Sequence, residues 1–156
     1  MILQMQAMVL IENKPLDTQK IADLISDKND LPLVWPIARW PFDHQQWREV
    51  LDPEKGNVSF LVYDKGLLIG HAALLKTAVP QTYSVAFLYL LPNIRLQGKG
   101  RTLVGLLESY AVASLGAKRL HLVVRDYNPA AYKCYLHCGF TESGRKGTLI
   151  KMQKEI

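Results

Sequence analysis

The chain has 156 residues, of which 49% are apolar and 21% are charged, and its formal net charge is +5. This length suits one globular domain with a buried core, so residues 1–156 are expected to form a single domain of ordinary soluble composition. The apolar residues 1–11 are too few to span a membrane and do not match a secretory leader, so we expect neither.

The first third of the sequence predicts one strand and two short helices with a loop between them. Residues 2–11 have the apolar character of a strand. Asp17 and Asp43 each stand where a helix N-cap is expected, and Gln46 completes a capping-box pattern after Asp43. Residues 29–41 carry several prolines and tryptophans and predict a loop.

The rest of the sequence predicts a hairpin followed by alternating strands and helices. Asp64-Lys65-Gly66 signals a hairpin turn, and the glycine-rich residues 144–147 predict a second turn. The predicted strands are 58–63, 67–76, 83–91, 119–125, 140–141 and 149–152, and the predicted helices are 101–115 and 129–137. This order predicts an α/β fold with a mixed, mostly antiparallel sheet flanked by helices.

The segment between the strand 83–91 and the next helix has the features of an anion-binding turn. Two glycines, Gly98 and Gly100, free the backbone, and Lys99 adds positive charge between them. A helix start presents unpaired N–H groups and the positive end of the helix dipole. The sequence therefore predicts a phosphate or pyrophosphate site at this turn.

Three phosphate-binding patterns compete for this segment. A Walker loop requires Lys-Ser/Thr after its last glycine, whereas an arginine follows Gly100. A dinucleotide fingerprint fits Gly98 and Gly100 but has Leu103 at its third glycine, although Asp126 could imitate the distal acid. The third pattern, Arg/Gln-x-x-Gly-x-Gly/Ala, is matched fully by residues 95–100. It resembles the pyrophosphate loop of the GCN5-related N-acetyltransferase (GNAT) family.

A second segment resembles the same family. From Asn128 to Phe140 the sequence follows Asn-x-x-Ala-x-x-x-Tyr-x-x-x-Gly-Phe, a pattern that these enzymes share. One predicted helix and one predicted strand separate the two motifs, in the family's order. The resemblance covers roughly residues 57–156 and implies a GNAT-like fold and an acetyl-coenzyme A-dependent N-acetyltransferase that acts by direct transfer.

The resemblance also implies where acetyl-coenzyme A, the expected co-substrate, would bind. The turn would hold the pyrophosphate through its backbone, the strand before it would pair with the pantetheine arm, and the helix-capping asparagine would also contact the cofactor. The residues so implied are Leu88, Leu90, Arg95, Gln97, Gly98, Lys99, Gly100, Arg101 and Asn128. A basic chain suits such a polyanionic ligand.

Tyr135 is the residue to which the resemblance assigns catalysis. Transfer from a thioester to an amine requires a polarised carbonyl, a neutral amine and a proton for the leaving thiolate. A phenol, with a pKa of about 10, holds its proton at neutral pH and can donate it. The alternative is a tyrosine that only packs in the core.

The general base is left open. Many family members carry a glutamate in the strand before the loop, whereas residues 83–91 contain no acid. Tyr83, Tyr89, His71, an acid elsewhere or a chain of waters could take the proton. Alternatively, the acceptor could arrive as a neutral amine.

The acceptor, a small-molecule or peptide amine, is predicted to bind around residues 31–47. Trp35-Pro36 and 40–42 offer an aromatic wall, Arg39 would suit a carboxylate or phosphate, and Asp43 would suit an ammonium. The alternative is a loop that only covers the core. The C-terminal edge strands are compatible with a homodimer.

The two cysteines and the charge leave alternatives of their own. Cys134 and Cys138 are four apart on one predicted helix, which is poor disulfide geometry and favours a reduced, cytoplasmic chain. No further ligands stand at metal-site spacing, so no metal is predicted, and a covalent acetyl-cysteine lacks a partner base.

A non-catalytic acyl-coenzyme A-binding or regulatory module would explain the missing glutamate. A nucleic-acid-binding domain is supported only by the basic charge, without a Lys/Arg run.

Overall fold

A computed structural model describes residues 8–95 and 97–156 of the chain. Seven strands form one sheet in the order β1-β2-β3-β4-β5-β7-β6. The strands are β1 (Met8–Glu12), β2 (Val58–Asp64), β3 (Leu67–Lys76), β4 (Thr82–Leu90), β5 (Arg119–Arg125), β6 (Thr141–Lys146) and β7 (Leu149–Glu155). Only β4 and β5 are parallel neighbours, and every other pair is antiparallel. The predicted α/β fold with a mixed, mostly antiparallel sheet is therefore confirmed.

In the part of the chain that the structure describes, five α-helices cover the two faces of the sheet. They are α1 (Thr18–Leu24), α2 (Leu31–Val34), α3 (His44–Val50), α4 (Lys99–Leu115) and α5 (Pro129–His137), and two short 3₁₀ turns lie at Pro53–Lys55 and Pro92–Ile94. Asp17 and Asp43 cap α1 and α3 by accepting hydrogen bonds from two backbone N–H groups each, as predicted. Among the helices of the described residues, none is both long and apolar enough to cross a bilayer.

Each face of the sheet has its own apolar core. On the face covered by α4 and α5, which we call the α4 face, Leu103 and Leu107 pack against Leu120 and Met152. On the opposite face, the α1 face, α1 and α3 bury Trp47 against Phe87. Both cores meet at β4, because successive residues of a strand point to opposite faces.

Two irregularities open the middle of the sheet. β4 and β5 pair only from Thr82↔Arg119 to Ser84↔His121, and no further ladder joins them. The register between β3 and β4 also slips near Phe87, whose φ of 53° is unusual for a residue with a large side chain. The strand bulges there, and a cleft separates β4 from β5 beyond Ser84.

Several element boundaries differ from those predicted. Residues 29–41 are not a continuous loop: α2 forms there, with Pro32 in its first turn and Leu31 buried. Gly144 lies inside β6, so the second turn is at Gly147 rather than across 144–147. Pairing with β7 extends β6 well past the predicted 140–141. Of the predicted strand 2–11, residues 2–7 lie outside the described part of the chain.

Candidate active site

A cavity of about 270 Å³ fills the gap between β4 and β5. Strands β4 and β5 form its walls, α5 approaches from the α4 face, and α2 with the residues after it closes the α1 face. Its lining residues are 32–36, 85–88, 123–125, 127, 128, 131, 135 and 149. Among the residues predicted for function, the cavity brings together Leu88, Asn128 and Tyr135, from three separate elements. Leu90 lies outside it.

The N-terminus of α4 is a candidate anion site that contacts α5, the helix that carries Tyr135 to the cavity; none of residues 97–101 is itself part of the cavity lining. Gly98 is the N-cap with φ 75°, a left-handed conformation that glycine adopts without strain, and no side chain caps the helix. The first N–H groups of a 17-residue helix are thus left for a ligand. At Gly100, a Cβ would lie 3.4 Å from the Sγ of Cys134 and stand over the same N-terminus.

The three basic residues predicted to bind the phosphate, Arg95, Lys99 and Arg101, differ in whether their side chains already have partners within the protein. Arg95 donates to the carbonyl of Leu90 at 2.8 Å and pairs with Asp30 at 3.4 Å. Lys99 Nζ lies 3.0 Å from a carboxylate oxygen of Asp64. Arg101, like Gln97, is exposed, and within the described residues it forms no salt bridge. Arg101 is therefore the basic side chain most available to a phosphate.

Tyr135 reaches the cavity from α5. Its ring meets Phe140 edge-on with centroids 6.1 Å apart, and within the described residues its hydroxyl makes no hydrogen bond. Burial raises the pKa of Tyr135 far above the usual phenol value, with a smaller contribution from the two nearby cysteines. The hydroxyl thus carries a proton at neutral pH, and that proton is not committed to a protein acceptor.

Asn128 serves as the cap of α5. Its side-chain oxygen accepts the N–H of Ala131 at 3.3 Å, and the residue also lines the cavity. The amide NH₂ is left to face a ligand, because a capping asparagine uses only its oxygen.

Two of the bases considered from sequence are already engaged inside the protein. His71 is fully buried, and its ring nitrogens lie 2.7 Å from Ser59 Oγ and 3.0 Å from the Phe87 carbonyl oxygen. The Tyr89 hydroxyl donates to Asp30 at 3.0 Å, and burial followed by this carboxylate raises the pKa of Tyr89 to about 12. Neither group is presented to the cavity. Tyr83 packs against the α4-face core.

His121 is a titratable group that sequence reasoning missed. It pairs with Ser84 at the last rung before β4 and β5 diverge, and Ser84 Oγ lies 3.4 Å from its Nδ1. Leu120 and Leu122 point into the α4-face core, so His121 lies on the same face of β5 as Val123. Val123 lines the cavity, whereas His121 lies two residues outside the lining. Burial, and secondarily the charge of Lys151, lowers the pKa of His121, so the ring is neutral at pH 7. Only the register of two strands distant in sequence reveals this position.

The predicted acceptor segment divides into two parts. Trp35 and Pro36 line the cavity. Arg39 and Asp43 instead bind each other at 2.7 Å on the surface, outside the cavity lining, and the Arg39 guanidinium beside Asp43 lowers the pKa of that carboxyl. Phe42 stacks on Trp47 with centroids 5.4 Å apart, as part of the packing over the core.

Comparison with known proteins places this geometry in a family. The profile of the acetyltransferase (GNAT) family matches residues 22–140. The structure is similar to spermidine N-acetyltransferase from Vibrio cholerae in complex with CoA and spermine, with a TM-score of 0.78, 20% identity and coverage of 96% of this chain and 95% of that one. It is also similar to the N-acetyltransferase PseH of Campylobacter jejuni, with a TM-score of 0.72, 20% identity and coverage of 96% and 99%.

The chain belongs to the acetyltransferase (GNAT) family. The resemblance stated from the two sequence motifs is thereby confirmed, and with it the enzyme class, an N-acetyltransferase with acetyl-coenzyme A as co-substrate. The residues present fit that co-substrate, since α4 begins at a glycine N-cap with no side-chain cap in the described residues, and a cavity reaches between two strands.

Proposed function

We propose that the protein transfers the acetyl group of acetyl-coenzyme A directly to the primary amine of a small acceptor in the cleft between β4 and β5. The observation that carries the proposal is the convergence of Tyr135, Asn128 and the edge of β4 on one cavity. The N-terminus of α4 lies next to α5, where a Cβ at Gly100 would be 3.4 Å from Cys134 Sγ, one residue before Tyr135. Such a site can hold both substrates at once and bring their reacting atoms together.

Cofactor binding would use the backbone of the turn and the edge of β4. The N–H groups from Gln97 to Arg101 would bind the pyrophosphate, and Arg101 would add charge. The pantetheine arm would lie along β4 near Leu88, which lines the cavity. The Leu90 carbonyl already accepts from Arg95, so we assign Leu90 a supporting place beside the arm rather than a hydrogen bond.

The chemical step would use two protein groups. The amine nitrogen attacks the thioester carbonyl carbon and forms the C–N bond, and the C–S bond breaks as the intermediate collapses. Tyr135 donates its proton to the leaving thiolate. The proton lost by the amine passes through water to the neutral His121, which lies next to the cavity lining rather than in it, and both groups then exchange protons with solvent.

The test is an acceptor-dependent release of coenzyme A thiol. Purified protein and acetyl-coenzyme A would be incubated with a broad panel of amines, and free thiol and acetylated product would be measured together. The proposal predicts thiol and acetylated amine in equal amounts with at least one acceptor. Cofactor binding without transfer to any amine, or acetyl accumulation on Cys134, would contradict it.

A further inference from the structure

The acceptor side of the cavity contains no carboxylate. Its lining residues on the α1 face are apolar or aromatic except for one charged side chain, that of Arg125. The lining there comprises Pro32, Leu33, Val34, Trp35, Pro36 and Val123. Residues 1–7 and 96, which the structure does not describe, include no Asp or Glu in the sequence.

The acids that flank the lining residues in the sequence are not part of the lining: Asp126, between Arg125 and Tyr127, is exposed and outside it. Two acids of the α1–α3 segment are engaged elsewhere. Asp30 accepts from Tyr89 and pairs with Arg95, and Asp43 pairs with Arg39. Neither lines the cavity. Moving an acceptor with several ammonium groups from water into this site is therefore unfavourable, because the site offers it apolar surface and one positive charge.

Arg125 is held ready to bind an anion. It is the last residue of β5, on the same face as Val123, and its Nη1 donates to Thr148 Oγ1 at 3.0 Å. In the described part of the chain it has no carboxylate partner. A guanidinium has five N–H donors, so fixing one leaves a fork that matches a carboxylate or a phosphate.

We infer that the acceptor is an amine with an apolar body and one anionic group, which Arg125 binds while Trp35, Pro36 and Val123 contact the body. This inference rests on the proposed acetyl transfer and gives it a substrate class. It disfavours polyamines, because Arg125 would repel the second ammonium group and no acid is part of the cavity lining.

The experiment compares four amines at saturating acetyl-coenzyme A: L-phenylalanine, phenethylamine, 2-aminoethyl phosphate and spermidine. L-Phenylalanine and phenethylamine share an apolar body and differ in the carboxylate, whereas 2-aminoethyl phosphate presents a phosphate alone. The inference predicts that L-phenylalanine, which alone has both the apolar body and the anion, has the highest kcat/KM, with spermidine far below it. The highest value for 2-aminoethyl phosphate would show that no apolar body is needed and would overturn that part of the inference.

Variants then assign the anion to its residue. Arg125→Gln should raise the KM for the preferred anionic amine about 10–100-fold, the usual effect of losing a hydrogen bond to a charged group, while leaving KM for phenethylamine and the affinity for acetyl-coenzyme A unchanged. Arg119→Gln is the matched control, since Arg119 lies at the other end of β5 and pairs with Glu155. A loss of acetyl-coenzyme A affinity in Arg125→Gln would overturn the assignment.

The outcomes separate this inference from the proposal on which it rests. Spermidine or phenethylamine as the best acceptor would overturn the substrate class and still establish acetyl transfer. The absence of acetyl transfer to all four amines would also overturn the substrate class. Only the absence of transfer to every amine of a broad panel, with acetyl-coenzyme A bound, would contradict acetyl transfer itself.

Discussion

His71 Nδ1 lies 3.0 Å from the carbonyl oxygen of Phe87, the residue with positive φ at the bulge of β4. A carbonyl can only accept, so Nδ1 carries the proton and Nε2 accepts from Ser59 Oγ at 2.7 Å. Asn13 Nδ2 in turn donates a hydrogen bond to Ser59 Oγ at 3.2 Å. A buried network of hydrogen bonds therefore fixes the bulge at which β4 leaves its regular register.

Stability should fall in acid because of this histidine. Burial lowers the pKa of His71 to about 4, whereas an unfolded histidine titrates near 6.5. Between these values the unfolded state binds more protons, so the free energy of unfolding is constant above about pH 6.5 and falls as the pH drops toward 4. The shift corresponds to about 3 kcal/mol at pH 4. Urea titrations across this range would measure it.

The comparison that isolates His71 is the difference between wild type and His71→Asn. Carboxylates titrate in both proteins, so the difference in unfolding free energy should shrink toward pH 4. His137→Asn, at an exposed position on α5, is the control for replacing a histidine outside the core. A pH-independent difference for His71→Asn would contradict the account.

Tyr135→Phe should lower kcat about 10²-fold, because the thiolate would leave without a proton from the enzyme. The KM for acetyl-coenzyme A should change by less than about twofold, since the ring and its packing remain. Tyr132→Phe, one turn earlier, removes a surface hydrogen bond to Glu142 of 2.7 Å and should leave kcat unchanged. Steady-state kinetics would check both, and wild-type turnover in Tyr135→Phe would refute the general-acid role.

His121→Asn should lower kcat/KM about 10²-fold at neutral pH and remove a limb of the pH profile. The groups that face His121 are Ser84 on β4 and Lys151 and Gln153 on β7, and none is acidic. Because its pKa is lowered, wild-type activity should decline only below about pH 6.5. His137→Asn, at an exposed position on α5, is the control. An unchanged acid limb in His121→Asn would rule out His121 as the base.

Patterns that extend over only a few residues of the sequence predicted several strands, helices and helix caps correctly. The strand 119–125 and the helix 129–137 have the predicted bounds, because an apolar run and an Asn-Pro helix start act over a few residues. The helix caps at Asp17 and Asp43 were predicted for the same reason. The turn at Gly98 was recognisable from its two glycines, although α4 begins at Lys99, two residues before the predicted start, so that Gly100 lies in its first turn.

What the sequence could not provide depends on contacts between distant segments. The Ser84–His121 rung joins strands separated by a whole helix, and Arg125 becomes the charge of the cavity only once β5 and α2 face each other. Arg39 was predicted to suit an anionic group of the acceptor, whereas in the structure it forms a salt bridge with Asp43. Placement in the fold, rather than residue type, decides which of these groups meets a ligand.

Calorimetric titration of acetyl-coenzyme A into wild type, Gly100→Glu and Gly105→Glu tests the central claim most directly. Both variants put the same side chain on α4. Among residues 8–95 and 97–156, a Cβ at 100 meets Cys134 Sγ at 3.4 Å and no other atom within 4 Å, and a Cβ at 105 meets none. The account predicts equal affinity for wild type and Gly105→Glu, and at least about 100-fold weaker binding for folded Gly100→Glu, whose carboxylate occupies the pyrophosphate site. Equal binding by all three proteins, or none by the wild type, would contradict it.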